Sequence, residues 1–137
     1  MPLTLHLAVA FGVYIAAASL GMLLMPAARV ERLYQELADS PGLVMAYGVI
    51  AFVVGAAWIM VHHEWLTGLG MVVSLVGWIM AIEGVLMLAA PAVMIRIALV
   101  FRPVLKPACV IAIVVGVLLI VAGLTGRADA DIFTNSA

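Results

Sequence analysis

The sequence predicts an all-α integral membrane protein: a four-transmembrane-helix bundle made of two helical hairpins, with short amphipathic connectors. Three observations lead there. Of 137 residues, 68% are hydrophobic and 9% are charged, with a mean hydropathy of +1.34. A soluble domain of this size leaves too much of its area in water to hide so much apolar surface. Four apolar runs, residues 3–25, 43–61, 66–90 and 108–124, match the ~20 residues that cross a hydrocarbon core of about 30 Å. Proline and charge fall outside these runs, with one exception, Glu83. Residues 1–137 are therefore read as a single membrane domain.

The first run carries His6 near its start and is closed by Pro26, because proline cannot continue the hydrogen-bond ladder and disfavours helix in the residue before it. Ala16-Ala17-Ala18-Ser19 resembles a signal-peptide cleavage site. No basic segment precedes it and the apolar run is too long for a signal, so the run is read as a retained transmembrane helix. Over residues 27–39, Val30, Leu33, Tyr34, Leu37 and Ala38 keep a helical rhythm, while Arg29, Arg32, Gln35, Glu36 and Asp39 take the other side. This connector is expected to lie in the membrane interface with a solvated charged face, Arg32 and Glu36 forming a weak pair four residues apart.

Ser40 and Pro41 read as the N-cap and first turn of the second run. That run ends at His62-His63-Glu64, a few residues before the third begins, which predicts a tight antiparallel hairpin. Trp58, Trp65 and Tyr14 are candidate interfacial anchors. Pro91 closes the third run, and residues 92–106 form a second, more apolar connector with Arg96, Arg102 and Lys106. The fourth run ends at Thr125-Gly126, and residues 125–137 form a polar tail with no core-forming pattern.

Charge sets the expected orientation. Arg29, Arg32, Arg96, Arg102 and Lys106 lie in the two long connectors, and only Arg127 lies elsewhere. Positive loops stay inside, which places both connectors in the cytoplasm and both termini outside. The same scattered basic residues form no patch for nucleic acid. The lone cysteine, Cys109, excludes an intrachain disulfide and reads as a small buried hydrophobe.

The two halves match each other. Residues 18–26 align without a gap on residues 83–91, and after a connector four residues shorter, residues 51–55 fall on 112–116. This reads as an internal duplication with both copies in the same orientation. Gly48 and Gly55, Gly70, Gly77 and Gly84, and Gly116 and Gly123 recur at seven-residue spacing, which predicts stripes where helix backbones approach each other. Each half, with its Glu-Gly or equivalent, later proline, basic connector and glycine-bearing return helix, resembles the small two-helix inner-membrane proteins of the YjeT type. Glu83, Gly84 and Pro91 match that pattern, whereas Ala18 and Ser19 stand at the Glu-Gly positions of the first half. DoxX-like four-helix membrane proteins are a second resemblance, on size and span count. What these resemblances imply is a bacterial inner-membrane protein, with no activity attached.

Two features carry candidate chemistry. Glu83 is an intramembrane ionisable residue, expected to face a protein interior or wet cavity. It is read either as a proton carrier or as a neutral group hydrogen-bonded to Ser19, Tyr47 or a backbone carbonyl. His62, His63 and Glu64, with His6 near the same end, offer metal-ligand types, but adjacent histidines point about 100° apart on a helix. They are expected to be solvated at the interface. No nucleophile elbow, phosphate loop, HExxH or paired acid set occurs, so neither an enzyme active site nor a cofactor is expected. The expected function is that of a non-enzymatic accessory, scaffolding or interaction subunit, contacting lipid and other membrane subunits or further copies of itself. The alternative is a small oligomeric transporter or proton or ion pathway using Glu83.

Overall fold

A computed structural model describes residues 2–63 and 65–126 of the chain. Glu64 and the tail from Arg127 lie outside the described residues. The elements are α1 (Pro2–Leu24), α2 (Ala27–Asp39), α3 (Pro41–Val61), α4 (Gly68–Ala89), α5 (Pro91–Phe101), a 3-10 turn (Arg102–Val104) and α6 (Leu105–Thr125). Among the described residues, four helical stretches are long and apolar enough to cross a membrane, consistent with an all-α multi-pass membrane protein.

The proline stops act as expected. Pro26 is extended (φ −57°, ψ 143°) and separates α1 from α2, while Ala90 breaks the chain before Pro91, the first residue of α5. Ser40 occupies the position before Pro41 but makes no side-chain capping bond, contrary to its expected role. At the far end, Gly126 takes the left-handed conformation (φ 62°) and its N–H donates to the Ala122 carbonyl at 3.1 Å, closing α6.

Two boundaries differ from expectation. α4 begins at Gly68, because Thr67 is extended and its Oγ1 accepts the Gly70 N–H at 3.0 Å. α6 begins at Leu105 and has 21 residues, which makes the fourth span longer than residues 108–124. Pro107 sits in its first turn, where the missing N–H has no helical partner to lose. The second connector is helical throughout, so residues from Pro91 to Thr125 form a nearly continuous stretch interrupted at Pro103. There the Arg102 N–H reaches the Leu99 carbonyl three residues back, the tightening expected where proline removes a donor.

The spans pack as two antiparallel pairs. α3 and α4 form the expected hairpin, and α1 lies along α6. Each sequence half therefore packs its leading helix on the return helix of the other half. The pairs meet where α1 touches α4, around buried Ala8, Leu69, Val73 and Leu119. At the opposite end α2 and α5 touch each other and α3. There Arg102 forms a surface ion pair with Glu31, and Arg32 and Glu36 do not pair. Val30, Tyr34 and Leu37 turn inward on α2, leaving Arg29, Arg32, Gln35, Glu36 and Asp39 exposed as expected.

Close backbone contact builds both pairs. A Cβ placed on Gly55 would stand 2.4 Å from the Ala81 nitrogen, and one on Gly84 would stand 2.4 Å from the Phe52 nitrogen and 2.8 Å from the Gly48 carbonyl. In the other pair, a Cβ on Gly116 would fall 3.0 Å from the Ala16 nitrogen, and one on Gly123 2.7 Å from the Leu5 carbonyl. A Cβ on Gly77 would stand 2.8 Å from Cδ1 of the Trp58 ring, and Gly70 is buried at the start of α4. Gly55, Gly84, Gly116 and Gly123 thus lie inside the two helix pairs, where a larger residue would force the backbones apart.

Candidate functional site

Polar side chains gather at the end of the bundle where α1, α3 and α4 converge. His62, the residue after α3, has an extended backbone (φ −143°, ψ 114°), and its N–H donates to the Trp58 carbonyl at 2.9 Å. This turn sends the imidazole inward. Nε2 lies 2.9 Å from Thr4 Oγ1 on α1, and Nδ1 lies 3.1 Å from Ser74 Oγ on α4. Both hydroxyls are buried and His62 is 4% exposed. A hydroxyl can donate or accept, so either neutral tautomer of the ring is served by the pair. Beside it the Trp58 indole N–H donates to the Val73 carbonyl at 3.0 Å, and Phe11 of α1 meets the Trp58 ring edge-on at 5.6 Å.

This corrects the expectation of solvated histidines at the second-to-third turn. His62 is enclosed because the chain turns out of helix there, while His63 and His6 are exposed. Among the described residues, no group of three His, Cys, Asp or Glu side chains is placed to hold a metal, so His6, His62 and His63 are not gathered into one donor set. Trp58 is likewise packed between helices rather than serving as an anchor, whereas Trp65 and Tyr14 remain exposed. Cys109 is buried, as expected.

Glu83 lies toward the other end of α4, about six residues before Ala89 and so roughly 9 Å from the connectors. Its neighbour Gly84 belongs to the face that meets α3; one residue on a helix is a turn of about 100°, which carries Glu83 off that face. The carboxyl group borders a laterally open cavity of about 490 Å³ with Tyr14 of α1, Tyr47 and Ile50 of α3, and Ile79 and Met80 of α4. Glu83, Tyr47 and Met87 also border a second cavity of about 210 Å³, which continues toward Leu37 of α2 and Phe101 of α5. Glu83 itself is exposed, and among the described residues its side chain makes no hydrogen bond or ion pair. The expected bonds to Ser19, Tyr47 or a carbonyl are not made.

No protein-family model, curated protein or solved structure matches the chain. Its chemistry rests on its own residues. The Glu83 carboxyl group lines an apolar cavity together with Tyr14 and Tyr47, and a carboxyl group can exchange a proton or pair with a cation.

Three contributors escaped the sequence reading. Thr4 and Ser74 gave no signal, as isolated hydroxyls in apolar runs commonly bond their own helix backbone. Gly12 did have one: it lies 65 residues before Gly77, the offset that aligns residue 18 with residue 83. A Cβ on Gly12 would stand 2.6 Å from the Gly116 carbonyl.

Proposed function

We propose that the chain is a non-enzymatic accessory subunit of a bacterial inner-membrane complex, with the α2 and α5 connectors on the cytoplasmic side and both termini outside. The observation that carries this reading is the connector deck. α2 turns Val30, Tyr34 and Leu37 inward, ties to the second connector through Glu31 and Arg102, and leaves its charged face free for a partner. The polar groups at the other end are engaged in joining helices, which leaves little for transport or catalysis there. The arginines of the deck favour a cytoplasmic location, and the YjeT-type resemblance favours a bacterial inner membrane. Photo-crosslinking from positions 32 and 36 in intact membranes, followed by mild solubilisation, should recover one stoichiometric partner. Recovery of the chain alone from both positions would sink the reading.

We also propose that the chain arose by internal duplication. Gly55 meets Ala81 as Gly116 meets Ala16, and Gly77 approaches Ile59 as Gly12 approaches Ile120. Each residue of one contact maps onto its counterpart by the sequence offsets of 65 for leading helices and 61 for return helices. A second functional reading, a proton or ion pathway, is favoured by the Glu83 carboxyl group, which lines two cavities and has no hydrogen-bond or ion-pair partner among the described residues. Proton flux in proteoliposomes that is abolished in Glu83→Gln would support it.

A further inference from the structure

From the Glu83 groove we infer that the protein binds a hydrophobic cation, with the positive charge at the Glu83 carboxylate and the apolar body in the 490 Å³ cavity above it. The inference is independent of the accessory role proposed for the connectors.

The walls state the ligand's chemistry. A carboxylate at this depth needs a countercharge or a proton, and no Lys or Arg borders either cavity. The five basic residues described, Arg29, Arg32, Arg96, Arg102 and Lys106, lie on the connectors or at the very start of α6. Among the described residues, no cationic side chain stands beside the Glu83 carboxyl group. Tyr47 and Tyr14 line the same cavity as Glu83, with Phe11 stacked against Tyr14 at 6.3 Å. Aromatic faces attract cations in addition to the carboxylate. The remaining wall is aliphatic, apart from the adaptable thioethers of Met80 and Met87. A volume near 490 Å³ with few polar groups is in the range of small-ligand sites.

The geometry also orients the ligand. Glu83, Tyr47 and Met87 line both the larger cavity and the smaller one that extends to α2 and α5. The charge therefore sits nearer the connectors and the apolar body deeper among the spans, as for an amphiphile entering from that leaflet. The ammonium group of an aminophospholipid and a soluble lipophilic cation offer the same chemistry.

The test is equilibrium dialysis of tetraphenylphosphonium against the full-length chain in nanodiscs of phosphatidylglycerol, with neutral triphenylphosphine oxide as competitor. Saturable binding of one cation per chain is expected, with no displacement by the neutral compound. Glu83→Gln should weaken it at least tenfold. Ile50→Trp, which fills the cavity from an exposed position and keeps the carboxylate, should weaken it similarly, so the inference stays testable if Glu83→Gln does not fold. Nanodiscs containing phosphatidylethanolamine separate the sources: competition there assigns the site to the lipid headgroup, and its absence to a soluble cation. Equal binding by wild type and folded Glu83→Gln, equal displacement by the neutral compound, or no loss in Ile50→Trp would overturn the inference. A protein adduct formed from a photo-crosslinker at position 79, with no cation bound, would overturn it in favour of a partner helix.

Discussion

Thr4 and His62 stand 58 positions apart in sequence and 2.9 Å apart in the fold, joining the first turns of α1 to the end of α3. With Ser74 on the second ring nitrogen, the imidazole ties α1 to the α3–α4 pair, which α1 otherwise meets through a small apolar cluster. His62→Leu should therefore lower stability by about 1–3 kcal/mol, at ~0.6–1.5 kcal/mol for each of two hydrogen bonds. Thermal unfolding in detergent, compared with His63→Leu, measures this. The exposed His63 should change stability by less than about 0.5 kcal/mol.

The glycine contacts rank themselves. Gly55→Val and Gly84→Val drive a side chain into backbone atoms of the facing helix, which a rotamer change cannot relieve. Each should cost about 2 kcal/mol or more, or separate α3 from α4 altogether. Gly21→Ala meets no atom within 4 Å and should be neutral or mildly stabilising, since alanine is the better helix former. Cysteine cross-linking between positions 52 and 85 reports the pair directly and should fall in Gly84→Val.

Glu83→Gln should leave the stability of the chain unchanged within about 0.5 kcal/mol, because the carboxyl group supports no hydrogen bond or ion pair among the described residues. A loss above ~2 kcal/mol would assign Glu83 to packing. Chemical denaturation of both proteins in the same detergent decides it.

The Glu31–Arg102 pair lies at the surface, with both side chains more than a third exposed. Breaking it with Arg102→Ala should cost less than ~1 kcal/mol, and the effect should shrink in high salt. A salt titration of thermal stability in wild type and variant checks both statements.

What the sequence by itself determined was set by local rules: the number of spans, the proline boundaries at Pro26, Pro41 and Pro91, the amphipathic α2 and the glycine-rich faces. Each follows from hydrophobic run length or the 3.6-residue period, which need no knowledge of neighbours. Pro107 misled for the same reason, since whether a proline ends a helix or sits in its first turn depends on where the preceding turn places it. Tertiary structure alone decided the partners. Apolar helices carry nearly the same hydrophobicity on every side, so no pattern told α1 to choose α6 rather than α3; close approach at Gly12, Gly116 and Gly123 did. It also decided the two polar residues that matter most. His62, expected in solvent, is turned inward by one extended residue, and Glu83, expected to be sheltered, is left on a groove because the glycine beside it took the place in the helix interface.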